Sequence, residues 1–368
     1  MNRAIFTGDD SLEWLFRSSF DSITLIALWS IAAVVVTTIV LFVYTMGLRI
    51  ATVAGDRRRQ AFLREWRDVF AMAALSADAA REQELPRVSR ADRTDLLEEW
   101  NRARSIVDGS AVDNLIVLAQ RVGIPGLASR LLRRRRVQSL IIAVQTFGHL
   151  RDDTQFDAIR EFLDHPNTAL SITAATSLVE IRPRSGIELV VPRIHERRDW
   201  PRNKVSILLR EAGSELISEP LYRAIRSADN ANKTYLLQFA RLIDSEVRDA
   251  LVEDLIRESN EPGLLTAALK LVSGYRGVPR IAALTQHEAW FVRMQAARVL
   301  GRIGQEEHLS LLEALLDDPE WWVRYRAAQS ITALPFLGPN QLRQLQRRQK
   351  DRFAVDILQQ SMAEVGLA

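Results

Sequence analysis

The spacing of apolar positions divides the chain into two parts. From Ser22 to Leu48 it runs 27 residues without a charge, "SITLIALWSIAAVVVTTIVLFVYTMGL". Such a helix has no polar face to offer water. At 1.5 Å per residue it is roughly 40 Å long, more than the ~30 Å hydrocarbon core of a bilayer requires. The expectation is a single transmembrane helix over 22–48. A cleaved signal peptide would start basic and carry a shorter apolar run before a small-x-small site. Here Asp9, Asp10, Glu13 and Asp21 crowd the front instead. The leader, 1–21, contains "DDSLEWLFRSSF", which reads either as disordered or as a short amphipathic helix. In the second reading Asp10 caps the helix, and Leu12, Trp14, Leu15 and Phe16 rest among lipid headgroups.

Behind the apolar run, "DRRRQAFLREWRDVFAMAAL" predicts a helix, and "SADAAREQELPRVSRAD", with Pro86 inside it, predicts a polar break. Residues 49–92 therefore read as a juxtamembrane helix and linker. From Arg93 onward, segments of ten to sixteen residues carry apolar positions at three-four spacing, bounded by Gly, Pro, Asn or Asp. They predict helices over 93–107, 111–122, 126–148 (broken near Arg133), 154–163, 167–181, 184–196, 202–213, 215–226, 231–242, 245–258, 262–274, 277–285, 289–303, 305–316, 319–334, 341–349 and 351–365. No run alternates with period two, so the fold class is all-α.

Helices this short cannot each bury an apolar face alone, but they can when stacked at a fixed period. The chain shows such a period. "WFVRMQAARVLGRIG", from Trp290 to Gly304, returns as "WWVRYRAAQSITALP", from Trp321 to Pro335. Val292 meets Val323, Arg293 meets Arg324, Ala296–Ala297 meet Ala327–Ala328, and Leu300 meets Ile331. "DHPNTALSITAATSLVEI" lays Pro166 on Pro319, Leu170 on Val323 and Ala174–Ala175 on Ala327–Ala328. "LIIAVQTFGHL" repeats Ala143, Phe147, Gly148 and Leu150 on the same template. Asp164 and Asp317 are not separated by a whole number of Trp290-to-Trp321 intervals, so intervening units must vary in length. In "DDPEWWVRYRAA", Asp318 suits an N-cap, and the alanines let a neighbouring helix come close. Gly301 and Gly304 are placed to end their helix.

These residues resemble HEAT repeats of the short, phycobilisome-lyase type. The resemblance implies a right-handed α-solenoid of helix pairs over 93–368. It also implies a ladder in which a turn aspartate and a helix arginine stack from unit to unit. Asp318, Arg293 and Arg324 match that ladder, whereas His287 in place of aspartate and Ser171 in place of arginine break it. The stretches "LLEEWNRARSIVDGSAVDNLIVLAQRVG" and "LASRLLRRRRVQSLIIAVQTFGHLRD", behind an N-terminal anchor, look like bacterial membrane-anchored HEAT proteins that accompany family 2 glycosyltransferases of exopolysaccharide synthesis. That likeness implies a non-catalytic subunit of a polysaccharide synthase or secretion complex, with the glycosyltransferase as partner.

Charge adds an orientation. Arg3 and Arg17 precede the apolar run, while Arg49, Arg57, Arg58, Arg59, Arg64 and Arg67 follow it. Arginine-rich flanks stay in the cytoplasm, so the solenoid is expected there, on the inner membrane, with the N-terminus periplasmic. The chain has 368 residues and a formal charge of only +3, which demands no anionic partner. It contains no cysteine, which removes disulfides, thiolate metal sites and cysteine nucleophiles. His149, His165, His195, His287 and His308 show no metal-ligand spacing, and no phosphate loop or nucleophile elbow is present. Neighbouring carboxylates such as Glu98–Glu99 and Asp152–Asp153 point different ways on a helix, and the second pair reads as a cap near Thr154.

No catalytic residue, metal or cofactor is expected. The candidate partner-binding residues are the run Arg133, Arg134, Arg135 and Arg136, which equally reads as a solvated helix face. Trp290, Trp321 and Trp322 invite a ligand-stacking reading, but at their repeat positions one tryptophan of each pair is expected to cover the adjoining helix. The expected function is a membrane-anchored scaffold docking a protein partner. The alternatives are a HEAT-like lyase or modifying enzyme, and a nucleic-acid binder using a basic groove.

Overall fold

The computed structural model describes residues 10–134, 136–274 and 278–366. The side chains of residues 10–23 lie outside this description. Residues 1–9, the side-chain placements expected for Leu12, Trp14, Leu15 and Phe16, and Arg135 therefore fall outside the described residues, while the backbone of 10–21 is helical. Among those residues every element is helical, without a strand. The chain groups into two compact units, divided between Val122 and Gly123.

The first unit is organised by one helix, α1 (Asp10–Leu75, 66 residues), which runs unbroken through the predicted span and juxtamembrane segment. From Thr24 to Ile50 its side chains are exposed, Leu25, Trp29, Val36, Phe42 and Tyr44 among them. It is the one described helix long and apolar enough to cross a membrane, with a mean hydropathy of 2.6 in its most apolar window. Its C-terminal part is different. Trp66, Phe70 and Ala73 are buried, and the Trp66 and Phe70 rings lie 5.5 Å apart.

What buries them is α2 (Ala77–Glu82), α3 (Arg93–Ser105) and α4 (Ser110–Val122), which supply Ala80, Leu96, Leu97, Trp100, Leu115 and Leu118 to the same core. Ion pairs set the register of α3 on α1. Arg59 grips Asp95 with both nitrogens at 2.9 and 2.8 Å, and Arg67 donates to the buried Glu99 at 2.6 Å. Arg102 reaches the same carboxylate at 2.9 Å. Residues 93–122, read from sequence as the start of the solenoid, thus join the first unit. Periodicity marks them as amphipathic helices but does not say which surface they cover.

The second unit is a succession of helix pairs. They are α5 (Ile124–Leu132) with α6 (Val137–Leu150), α7 (Phe156–Arg160) with α8 (Thr168–Ile181), α9 (Pro183–Val190) with α10 (Arg202–Ala212), and α11 (Ser214–Ser227) with α12 (Asn230–Leu236). Then follow α13 (Ser245–Glu258) with α14 (Pro262–Leu269), α15 (Val278–Ala283) with α16 (Trp290–Ile303), α17 (Leu309–Ala314) with α18 (Trp321–Thr332), and α19 (Pro339–Arg348) with α20 (Arg352–Glu364). The interval from Trp290 to Trp321, which separates the starts of α16 and α18, recurs from Val137 to Thr168 and from Trp321 to Arg352. Between α8 and α16 the second helices start at longer or shorter intervals. The predicted variation in unit length is present.

Packing explains the template. Val292, Ala296, Ala297, Leu300, Val323, Ala327, Ala328 and Ile331 are all fully buried, and Leu170, Ala174, Ala175 and Leu178 match them in an earlier repeat. Gly301 does not end its helix. Gly304 does, in the left-handed region at φ 72°, where a side chain would be strained. Gly301 instead lies inside α16 where α18 approaches so closely that an added Cβ would stand 2.8 Å from the Ser330 Cα. Gly148 makes the same approach to Ser177, its virtual Cβ 2.7 Å from that Cα, and Ser177 Oγ donates to Val144 O across the seam at 3.0 Å. Small residues at this position let second helices touch backbone to backbone.

Candidate partner-binding edge

Each pair turns from its first helix into its second, so these turns share one edge of the stack. Their geometry repeats. Arg324 Nη1 donates to the carbonyls of Asp318 and Pro319 at 2.7 and 3.1 Å, and Arg293 Nη1 to those of His287 and Glu288 at 2.8 Å each. Arg293 also grips Asp318 of the next unit through two bonds of 2.7 and 2.8 Å, with both side chains largely buried. That is one rung of the predicted ladder. Asp318 is not the helix N-cap, which falls at Glu320; its Oδ1 accepts from the Glu320 N–H at 2.9 Å and tightens the turn before it.

The substituted rungs keep part of this chemistry. His287 Nδ1 accepts from the Ala289 N–H at 3.0 Å, and His165 Nδ1 from the Asn167 N–H at 3.0 Å, so an imidazole performs the aspartate's local role without its charge. Ser171, in the arginine's place, accepts from the buried Trp200 Nε1 at 3.0 Å and donates to Leu163 O. Arg197 donates to that same carbonyl at 2.7 Å and clasps Asp199 with two bonds of 2.9 Å. Thr168 adds a third bond to Asp199 at 2.6 Å. The Arg197 guanidinium first, then the Thr168 hydroxyl, hold the Asp199 carboxyl well below the usual carboxylate range.

On this edge large aromatic side chains stand in solvent. Trp290, Trp321 and Trp322 are 37, 42 and 55% exposed, which corrects the expectation that one of each pair is buried on the adjoining helix. The reason is their place in the first turn of α16 and α18, before the first inward positions, Val292 and Val323. Trp321 lies flat on Tyr325 (5.0 Å, 9°) and edge-on to Trp322 at 4.7 Å. Phe353, 64% exposed, opens α20 in the same way, with the Arg324 guanidinium 5.8 Å from its ring centre. Sequence reading missed Phe353, although it follows Trp322 at the same interval by which Trp322 follows Phe291. The missed signal was the repeat period carried one unit further.

The arginine run occupies the same edge at the first pair. Arg133 ends α5 and Arg136 precedes α6, and Arg133, Arg134 and Arg136 are exposed. No carboxylate among the described residues forms an ion pair with them. The turn edge therefore begins with clustered cations and ends with clustered aromatics, and the structure does not bring the two together. Other sequence candidates resolve into structural roles. Asp152 Oδ1 accepts from the Thr154 N–H at 3.1 Å, and Asp153 pairs with Arg182. His149 is buried, 3.8 Å from Glu180. Among the described residues no group of three or more His, Asp or Glu could hold a metal ion.

Residues 235–332, from α12 to the end of α18, match the family model of HEAT repeats. Over this stretch the helix pairs are HEAT repeats. Similar solved structures include an engineered protein (14% identity, 82% of this chain and 94% of that one, TM-score 0.34). Another is human deoxyhypusine hydroxylase in complex with glycerol (16% identity, 77% and 98%, TM-score 0.22). A second engineered protein has 13% identity over 66% and 96%, with TM-score 0.21. No curated protein matches the chain.

Proposed function

We propose that the chain is a non-catalytic, membrane-anchored scaffold. α1 crosses the bacterial inner membrane with its N-terminus in the periplasm, and the HEAT stack docks a membrane protein partner at the cytoplasmic face. The observation carrying this reading is the turn edge, where four large aromatics stay exposed although the same helices bury Val292, Ala296, Leu300, Val323, Ala327, Ile331, Ala354 and Leu358. Exposed tryptophans beside arginines are the residue types enriched at protein interfaces. An exposed apolar helix of bilayer length supports the anchor. Tethering raises the local concentration of a membrane partner, so a modest affinity suffices.

The partner in this reading is a family 2 glycosyltransferase of an exopolysaccharide synthase or secretion complex, as the sequence resemblance implies. An acidic cytoplasmic loop of that partner meets Arg133, Arg134 and Arg136. Arg134→Glu with Arg136→Glu reduces copurification of the partner from mild detergent, more strongly at low salt, with helicity unchanged. Unchanged copurification removes the arginine run from the interface. Undiminished polymer output from cells lacking the whole protein overturns the polysaccharide assignment.

A further inference from the structure

The opposite edge of the stack, where second helices turn into the next pair, carries a different chemistry. A hollow of about 250 Å³ opens there, lined by Arg241, Arg248, Lys270 and Arg302 with Leu271, Val272 and Ser273. Four cationic side chains converge on it, and no carboxylate is among its lining residues. A hollow of about 560 Å³ in the first unit is balanced instead, with Arg58 and Arg87 against Glu65 and Asp92. Arg182, at the same end of α8, is paired through two bonds with Asp153, in the turn that opens its own helix pair.

Backbone carbonyls hold two of the cations in place. Arg241 donates to Lys270 O at 3.3 Å, and Arg302 to Val272 O. These bonds cap the end of α14, but a carbonyl carries no net charge to neutralise a guanidinium. Burial first, then the positive charges of Arg298 and Arg241, push the Arg302 guanidinium below its ordinary pKa. Arg248 donates to Ser273 Oγ at 3.1 Å, while its buried Nε has no hydrogen-bond acceptor; Asp249 Oδ1 lies 3.5 Å away. A second hollow of about 310 Å³ continues from the first, sharing Arg241, Lys270 and Leu271 and adding Leu237, Ala267 and Thr266. Cations therefore crowd one end of a trough whose other end is largely apolar.

We propose that this trough binds an organic phosphate, its phosphoryl oxygens among Arg241, Arg248, Lys270 and Arg302 and its apolar portion along Leu237 and Ala267. Guanidinium forks suit phosphate oxygens, and an ammonium adds a compact point charge. Asp249, beside Arg248 and accepting from Ser273 Oγ at 2.6 Å, offsets one of the four cations, and a phosphate there supplies charge for the others. Soluble phosphate esters and anionic lipid headgroups share this chemistry, so the test separates them.

Full-length protein in phosphatidylcholine nanodiscs at low salt is titrated with pyrophosphate and with AMP, and in parallel is placed in nanodiscs containing phosphatidic acid. Thermal melting reads binding, because a ligand held by the folded state raises the midpoint. AMP is expected to bind more tightly than pyrophosphate. Lys270→Gln, whose ammonium makes no structural hydrogen bond among the described residues, is expected to weaken binding roughly tenfold, and Arg302→Gln at least as much. A shift produced by phosphatidic acid alone and reduced by Lys270→Gln assigns the site to a lipid headgroup and upholds the proposal. No shift with any probe, or equal shifts in parent and both variants, overturns it.

Discussion

At the scale of single residues, the seam between repeats responds to volume and the turn edge responds to charge. Gly301→Ala inserts a methyl where Ser330 already sits, and α16 and α18 must separate. About 1–3 kcal/mol of stability is expected to be lost, measured by denaturant unfolding of the chain. Gly109→Ala loses stability for a different reason, backbone strain at its positive φ, since nothing stands within 4 Å of an added Cβ. The Asp199 carboxyl is held below its ordinary range, so it contributes stability that is fully present above its unfolded pKa of about 4 and lost as pH falls through the lower folded value. Asp199→Asn is expected to flatten the acid limb of the melting profile below about pH 4 and leave its shape near neutrality unchanged. An unaltered acid limb contradicts the clasp formed by Arg197 and Thr168. The site was only partly legible at this scale. Apolar pattern marks Val292 and Val323 as inward, but a tryptophan next to them is equally able to cover a helix or face water. Only the first-turn position of Trp321 and Trp322 decides between these, and helix boundaries are where sequence pattern is weakest.

At the scale of elements, the helices themselves were legible almost throughout, because three-four spacing and the Gly, Pro and Asp boundaries record local physics. The break expected near Arg133 falls between Leu132 and Val137. Assignment of α3 and α4 to the first unit was not legible, because it depends on contacts between segments distant in sequence. Arg67 and Glu99, for example, are 32 positions apart. Three arginines read from sequence as flanking charge, Arg58, Arg59 and Arg67, are also partners of carboxylates at the start of α3 and along it. Glu99 is buried between Arg67 and Arg102, while both guanidiniums remain substantially exposed. Glu99→Ala is therefore expected to cost only about 1–2 kcal/mol after allowance for solvent screening, and to speed amide hydrogen exchange in 93–105. Unchanged exchange there means the ion pairs do not hold α3 on α1. The orientation of α1 is read by a reporter fused after Ala368: a cytoplasmic reporter is expected to be active and a periplasmic one silent. The reverse result overturns the topology.

At the scale of the whole molecule, the chain carries an apolar helical segment of bilayer length and repeats whose large exposed aromatic side chains are concentrated on one edge. Helix pairs of unequal length, seen in the uneven starts of successive second helices, give that edge its spacing. The aromatic cluster on α16, α18 and α20 and the arginines between α5 and α6 are separate contact points along it, which suits an extended partner better than a small ligand. The most direct test is site-specific photocrosslinking in intact cells, with the photoreactive residue at Trp322 and, for comparison, at Ile207, an exposed apolar position within α10 rather than in a helix's first turn. A discrete crosslink from position 322 to an integral membrane protein, absent from position 207 and lost on Trp321→Ala with Phe353→Ala, is the predicted result. No membrane-protein crosslink from position 322, or the same products from both positions, contradicts the claim that this edge docks a partner.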